Sequence, residues 1–266
     1  MTGQHSPWAH PFASPPPRGL RAVVFDLGGT LIDYRGGSDR WPAMERPGIE
    51  SLHTCLTAAG YLLDADLFHD AFVRAMDARW QAATAGMGDP PTLHSLILEV
   101  CSAAGHNLAD DVHQAAVAAY HQPIAAQAVT RHGATDVLGW LQAHGVRLGL
   151  ISNSVWPGDA HRLDLERHGL AQFLDFTVFS SECGLWKPNP AIFWHVLERL
   201  GVDPMHAAFV GDRFAEDIGG AQAAGLHPVY IEGTTDYEHI DPAAYHPEAR
   251  ITSLAELPAA LRRIFS

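Results

Sequence analysis

An apolar run without alternation, Ala22-Val23-Val24-Phe25, closes on one carboxylate, Asp26, and passes at once into Leu27-Gly28-Gly29-Thr30-Leu31. A strand covered on both faces reads this way, whereas a strand with one wet face alternates. The chain is thereby steered toward a parallel sheet with helices on both sides. In such sheets ligands bind beyond the carboxyl ends of the strands, which is where Asp26 stands. Taken alone, the plainer reading is stronger: a turn whose Asp hydrogen-bonds its own backbone.

Three later segments change that balance. The run 146–151 is a second apolar strand and ends in Ser152-Asn153-Ser154. Trp186-Lys187-Pro188-Asn189-Pro190 leads into a helical pattern, and Ala208-Phe209-Val210-Gly211-Asp212 closes on a further acid, with Glu216 and Asp217 beyond it. Strand-Asp, strand-Ser, Lys-Pro before a helix and strand-Gly-Asp, in this order, resemble the four motifs of the haloacid dehalogenase superfamily of phosphohydrolases. The resemblance covers residues 20 to about 233. One departure stands out: phosphatases of that family usually carry a second aspartate two residues after the first, and here that position is Gly28.

Between the first strand and the second the periodicity is helical. Ile49, Leu52 and Leu56 share one face, as do Phe68, Phe72, Met76 and Trp80, then Leu93, Leu96, Ile97 and Val100, then Val112, Ala116 and Tyr120. Each set reads as an amphipathic helix. Gly60, the Gly86-Met87-Gly88-Asp89-Pro90-Pro91 stretch and Gly105 separate them. The aromatic and Met stripe reads as core. From about Ala134 helix and strand alternate, with strands predicted at 148–151, 176–179, 208–210 and 228–231. Alternation of this kind gives an α/β fold with a parallel sheet. The resemblance implies a Rossmann-like core at 20–34 and 133–266, with a four-helix-bundle cap inserted at 35–132. Residues 1–19, rich in Pro, read as a disordered tail.

Charge narrows the partners. Lys and Arg number 17 against 30 Asp and Glu, a net charge of -13, which opposes binding to nucleic acid and to anionic membranes. No run approaches the roughly 18 apolar residues of a spanning helix, and the N-terminus lacks the pattern of a secretory signal. Cys55, Cys101 and Cys183 are widely spaced and suit reduced thiols in the cytoplasm. His53, His94, His106, His113 and His121 show no recurring zinc spacing and read as surface or partly buried side chains.

Phosphoryl transfer asks a protein to position the phosphoryl group, neutralise it and supply an in-line nucleophile. Asp26 can attack as a carboxylate and form an aspartyl-phosphate. Ser152, Asn153 and the backbone N–H groups after Ser152 suit phosphate oxygens, and Lys187 brings a fixed positive charge. Asp26, Asp212 and a phosphate crowd negative charge together and call for a hard cation, Mg²⁺. The resemblance implies Asp26, the Gly28 carbonyl and Asp212 as ligands, with Asp217 close by directly or through water, and leaves Glu216 or Asp217 to face the metal. The substrate is expected to be a small phosphorylated molecule.

Glycine at 28 removes the side chain that would protonate the leaving group and later activate water, a contribution of roughly 10²- to 10⁴-fold. Substrates with good leaving groups, an acid supplied from elsewhere, or binding without hydrolysis would each accommodate it. Dehalogenation, which needs no such proton, is a further reading, and the Asp212–Asp217 pair speaks against it. Asp33, Arg40 and His53 lie near the entry to the insertion without an assignable role.

Overall fold

The computed structural model describes residues 11–34, 43–233 and 244–266; Arg40 falls outside them. Strand β1 (Ala22–Phe25) lies at the centre of a six-stranded sheet with β4 (Arg147–Ser152), β5 (Phe176–Phe179), β6 (Ala207–Gly211), β7 (His227–Ile231) and β8 (Ala249–Ile251). Their order is β5-β4-β1-β6-β7-β8, and every pair is parallel. The chain fills one side of β1 first and then returns to fill the other. The order therefore reverses at β1, the place where doubly wound sheets open a ligand crevice.

Lack of alternation in β1 has the expected cause. Val23 and Phe25 join one core and Ala22 and Val24 the other, and all four are fully buried. The larger core takes in α5 (Ala134–Ala143) and α10 (Leu257–Ile264), and the smaller one takes in α8 (Pro190–Leu200) and α9 (Gly220–Ala224). Each large side chain buried there contributes about 1.5–3 kcal/mol. Helix α6 (Gly158–Arg167) follows β4, and the short α7 (Ser180–Cys183) follows β5.

The insertion consists of α1 (Arg46–Ala58), α2 (Ala65–Thr84), α3 (Leu93–Ala103) and α4 (Asp110–Ala125). Helix α1 packs on α4 and α2, and α3 packs on α2 and α4, closing a bundle. The predicted apolar faces are its interior: Ile49, Leu52, Leu56, Phe68, Phe72, Met76, Leu96, Ile97, Ala116 and Tyr120 are all buried. A two-stranded antiparallel ribbon, β2 (Ile32–Asp33) with β3 (Val129–Thr130), carries the chain into and out of the bundle. Sequence patterning did not resolve this ribbon or β8, both too short to show a period.

Two expectations are corrected. Of the tail expected at 1–19, residues 1–10 lie outside the described residues, and 11–19 are tied to the core: Phe12 packs on Trp140, and the Ser14 carbonyl accepts hydrogen bonds from Trp140 Nε1 at 3.2 Å and Arg262 at 3.0 Å. His113 and His121, read as surface or partly buried, are buried, each holding a polar partner inside the fold, the His94 carbonyl and Asp164 respectively.

Candidate active site

Asp26 is held by the sheet itself, its N–H donating to the Val210 carbonyl at 2.9 Å. The turn that follows needs glycine at 29. Its φ is +81°, and a Cβ there would collide with the Asp212 carboxylate. Arg131, just past β3, donates to the Gly29 carbonyl at 2.7 Å and ties the turn to the base of the insertion.

Lys187 is fixed from both sides. The Asn153 side chain accepts from the Lys187 N–H at 2.8 Å and donates to its carbonyl at 2.9 Å. Asn189 then caps α8 by accepting from Ala191 N at 3.0 Å, with Pro190 in the first turn. The lysine stem is fully buried, and Nζ donates to Asp26 Oδ1 and Asp217 Oδ1, both at 2.6 Å, and to the Ile151 carbonyl at 3.2 Å. An ammonium has three donors, and all three are used. Burial would push its pKa down, but Asp217 and Asp26 outweigh it and hold the group charged, well above the usual lysine range.

Asp217 sits on a π-helical turn, Phe214–Gly219, that opens directly after β6. Its second oxygen accepts from the Arg213 N–H at 2.9 Å. Oxygens of Asp26, Asp212 and Asp217 lie within 4.8 Å of one another. Three carboxylates and one lysine leave excess negative charge, and the acids respond. Burial pushes Asp26 up to about 6 against the pull of Lys187, and burial together with Asp26 and Asp217 holds Asp212 well above the usual carboxylate range. Asp212 Oδ1 is buried with no hydrogen-bond partner among the described residues. An orphaned anionic oxygen among carboxylates, beside a Gly28 carbonyl that accepts no hydrogen bond among the described residues, is a donor set that fits a hard divalent cation.

Glu216 takes no part in this cluster. It faces Arg213 at 3.3 Å and accepts from Trp80 Nε1 at 3.4 Å. Ser152 ends β4 in the cleft with its hydroxyl only 3.5 Å from the Asn153 carbonyl, too long to occupy it. The backbone N–H of Ser154, expected among the phosphate donors, instead donates to Ser180 Oγ at 2.8 Å. Asn153 lines the cleft while its side chain serves Lys187. His53 packs against the Leu63 carbonyl within the bundle, and neither it nor Asp33 lines the cleft.

Several cleft residues escaped the sequence reading. Met44, Glu45 and Trp80 reach it from the insertion, Tyr34 from the end of β2, Trp156 and His161 from the stretch after β4, and Arg213 from the stretch after β6. Trp80, read as core, carries the Arg213 guanidinium 4.7 Å from its ring centre. His161 is stacked between Trp156 and Phe179, and burial followed by the nearby His121 pushes it down to about 3, so it is neutral. Ser154 Oγ accepts from the Trp156 N–H at 2.9 Å and shares a hydrogen bond with His161 Nε2 at 2.5 Å. Behind this wall, buried Asp164 accepts from the Tyr34 hydroxyl at 3.2 Å and pairs with His121 at 3.0 Å.

A family model described as haloacid dehalogenase-like hydrolase matches residues 20–225. The chain belongs to this family. Among its relatives, a phosphoglycolate phosphatase of Escherichia coli is 30% identical over 253 residues, spanning 91% of this chain and 92% of that protein. A glyceraldehyde 3-phosphate phosphatase of Methanopyrus kandleri is 36% identical over 128 residues, 48% of this chain, and the match spans only about half (54%) of that relative's length. The fold is also that of a solved 2-haloacid dehalogenase from Pseudomonas syringae, with a TM-score of 0.64 and 25% identity over 92% of this chain and 99% of that one. The haloacid dehalogenase-like hydrolases thus supply the fold, and the match to the phosphoglycolate phosphatase spans nearly all of it. No helix among the described residues is long and apolar enough to cross a membrane.

Proposed function

We propose that this haloacid dehalogenase-like protein is a Mg²⁺-dependent phosphatase of small phosphorylated molecules, with Asp26 as nucleophile. The observation that carries this reading is the cluster of Asp26, Asp212 and Asp217 around Lys187, with Asp212 Oδ1 unpartnered. Asp26, Asp212 and the Gly28 carbonyl would hold the ion. Asp217, with both oxygens engaged by Lys187 and Arg213, would act on it through water. When bound, the cation neutralises the carboxylates and the phosphoryl oxygens.

Each protein group then has a definite task. Lys187 keeps Asp26 Oδ1 oriented, leaving the other oxygen to attack phosphorus and form an aspartyl-phosphate. For Lys187 to touch a phosphoryl oxygen, one of its three bonds must be exchanged, and the longest, to the Ile151 carbonyl, is the one to yield. The Ser152 hydroxyl, without a good partner of its own, can bind another phosphoryl oxygen. The insertion would serve as a cap over the cleft, with Trp80 and Met44 excluding water from the reacting centre.

Gly28 and the dehalogenase neighbour favour a second reading, displacement of halide from a 2-haloacid, which needs neither a proton donor nor a metal. The acidic cluster argues against it. Phosphate and halide release are to be measured across phosphomonoesters and 2-haloacids, with Mg²⁺ and with excess chelator. Phosphate release that chelator abolishes is expected. Halide release unaffected by chelator, with no phosphate released, would establish the second reading instead.

A further inference from the structure

We infer that Glu45, brought to the cleft by the helical insertion, is the general acid and base that Gly28 does not supply. The inference rests on the phosphatase reading and assigns a role that the motif residues leave open.

In-line attack places the leaving oxygen opposite Asp26, in a cleft that Met44, Glu45 and Trp80 line from the insertion. A proton donor must stand there. Among the described residues lining the cleft, the other titratable groups are committed. The Tyr34 hydroxyl donates to Asp164, His161 is neutral with Nε2 bonded to Ser154 and Nδ1 buried, Lys187 spends its three donors, and Arg213 does not release its proton. Glu45 is the remaining carboxyl in the lining besides Asp26.

Its setting suits the task. Glu45 is 8% exposed, and Tyr120, fully buried on α4, donates to Oε2 at 2.6 Å. The Tyr120 phenol is held well above its usual range, by burial first and by Glu45 second, so it remains a donor. A proton on Glu45 therefore resides on Oε1, which has no hydrogen-bond partner among the described residues. Burial raises the Glu45 pKa above the usual range, against the opposing pulls of the Tyr120 hydrogen bond and the Arg213 charge, which are the groups acting on it. A glutamate shifted in this direction approaches the working range of a general acid.

The step balances. As an Asp26 oxygen bonds to phosphorus, the phosphorus–leaving-oxygen bond breaks, and the Glu45 Oε1 proton passes to the leaving oxygen. The resulting Glu45 carboxylate then takes a proton from the water that attacks phosphorus. The bond between phosphorus and Asp26 breaks, and Asp26 and protonated Glu45 are both restored.

The test is Glu45→Gln, which keeps the shape and an acceptor for Tyr120, with a thermal melt to confirm folding. Values of kcat/KM, which report the leaving-group step and not the later hydrolysis of the aspartyl-phosphate that all esters share, are compared on alkyl phosphates, whose leaving groups need a proton, and on 4-nitrophenyl or acetyl phosphate, whose leaving groups do not. Loss of about 10²- to 10⁴-fold on the alkyl esters, a much smaller loss on the activated ones, and disappearance of the high-pH fall in kcat/KM are expected. Equal losses on both classes, or no loss on either, would overturn the assignment alone. Should Glu45→Gln fail to fold, Glu45→Asp must show the same leaving-group dependence in milder form, and its absence overturns the assignment too. Wild-type protein that releases no phosphate from any ester would sink the phosphatase reading and this inference with it.

Discussion

Lys187→Met removes the ammonium while keeping an apolar stem in place. Asp26 and Asp217 each lose a 2.6 Å hydrogen bond, and both are buried. Breaking a buried pair in this way costs about 3–5 kcal/mol, because a charge is left without compensation. For a chain of this size, at roughly 2–4 °C per kcal/mol, Tm falls by about 6–20 °C. The loss depends on pH in a direction the site fixes. Burial already raises Asp26 to about 6 with the lysine present, and removing the lysine raises it further. A carboxyl with a raised folded value contributes stability that is present below its unfolded value, about 3.8, and is lost as pH climbs through the folded one. The gap between wild type and variant therefore widens from pH 5 to pH 8. Thermal melts of both proteins at the two pH values, in chelator, measure it. An equal gap at both, or one below about 1 kcal/mol, would show that Lys187 does not compensate these carboxylates, and the electrostatic account of the site would fail. The same variant should release no phosphate.

Asp26→Asn should abolish turnover with the fold retained, and a rapidly quenched sample should contain no acid-stable phosphoprotein; turnover at wild-type rates would exclude Asp26 as nucleophile. Because Asp26 is raised to about 6 and Asp212 is also raised, Mg²⁺ must displace protons from them, so its affinity by calorimetry should weaken from pH 7.5 to 5.5 with proton release, whereas a pH-independent affinity would place the ion elsewhere. Gly28→Asp should fold normally, since a Cβ at 28 meets only Tyr34 Cδ2 at an ordinary 3.9 Å. In a Glu45→Gln background it should raise alkyl-ester hydrolysis by about tenfold, roughly 1.4 kcal/mol of barrier; steady-state kinetics with no gain on alkyl esters would show that position 28 cannot host a working acid.

The order of strands ending in polar residues was legible because each buried strand is a short apolar block whose last residue is chemically distinct. Phe25 to Asp26 and Gly211 to Asp212 both show this transition. Insertion helices were legible by their 3.6-residue period, as in Phe68, Phe72 and Met76. Trp80 continues that period yet ends at the cleft, because the stripe runs out from the bundle interior onto the face that meets the core. Periodicity assigns a residue to a face but not to what that face meets. Glu45 was illegible for a related reason: it precedes α1 with no motif, and its partner Tyr120 is 75 residues away in sequence. Asn153 showed the opposite problem. Its type suited phosphate, yet the amide is taken up by the Lys187 backbone, a pairing across 34 residues that no local pattern reveals.

Desolvation acts alike on Asp26, Asp212 and Glu45, raising all three, yet the proposed reaction needs them in different states. Asp26 must be ionised to attack, and Glu45 must hold a proton to give. Their surroundings provide the separation. Asp26 has the Lys187 ammonium at 2.6 Å and shares its oxygens' neighbourhood with the cation site, so a bound dication drives it toward the carboxylate. Glu45 has a neutral phenol as its hydrogen-bonded partner, and among the described residues the charge acting on it is Arg213, itself occupied with Glu216. Cation binding would therefore push the two carboxyls apart rather than moving both together, and would let one site hold a base and an acid at the same pH. Since the two groups reside on different parts of the chain, Asp26 on the sheet and Glu45 on the insertion, the complete pair exists only when the insertion lies over the cleft. An acid carried on β1 at position 28 would be present whether or not the cleft was covered; one carried by the insertion makes proton transfer conditional on coverage.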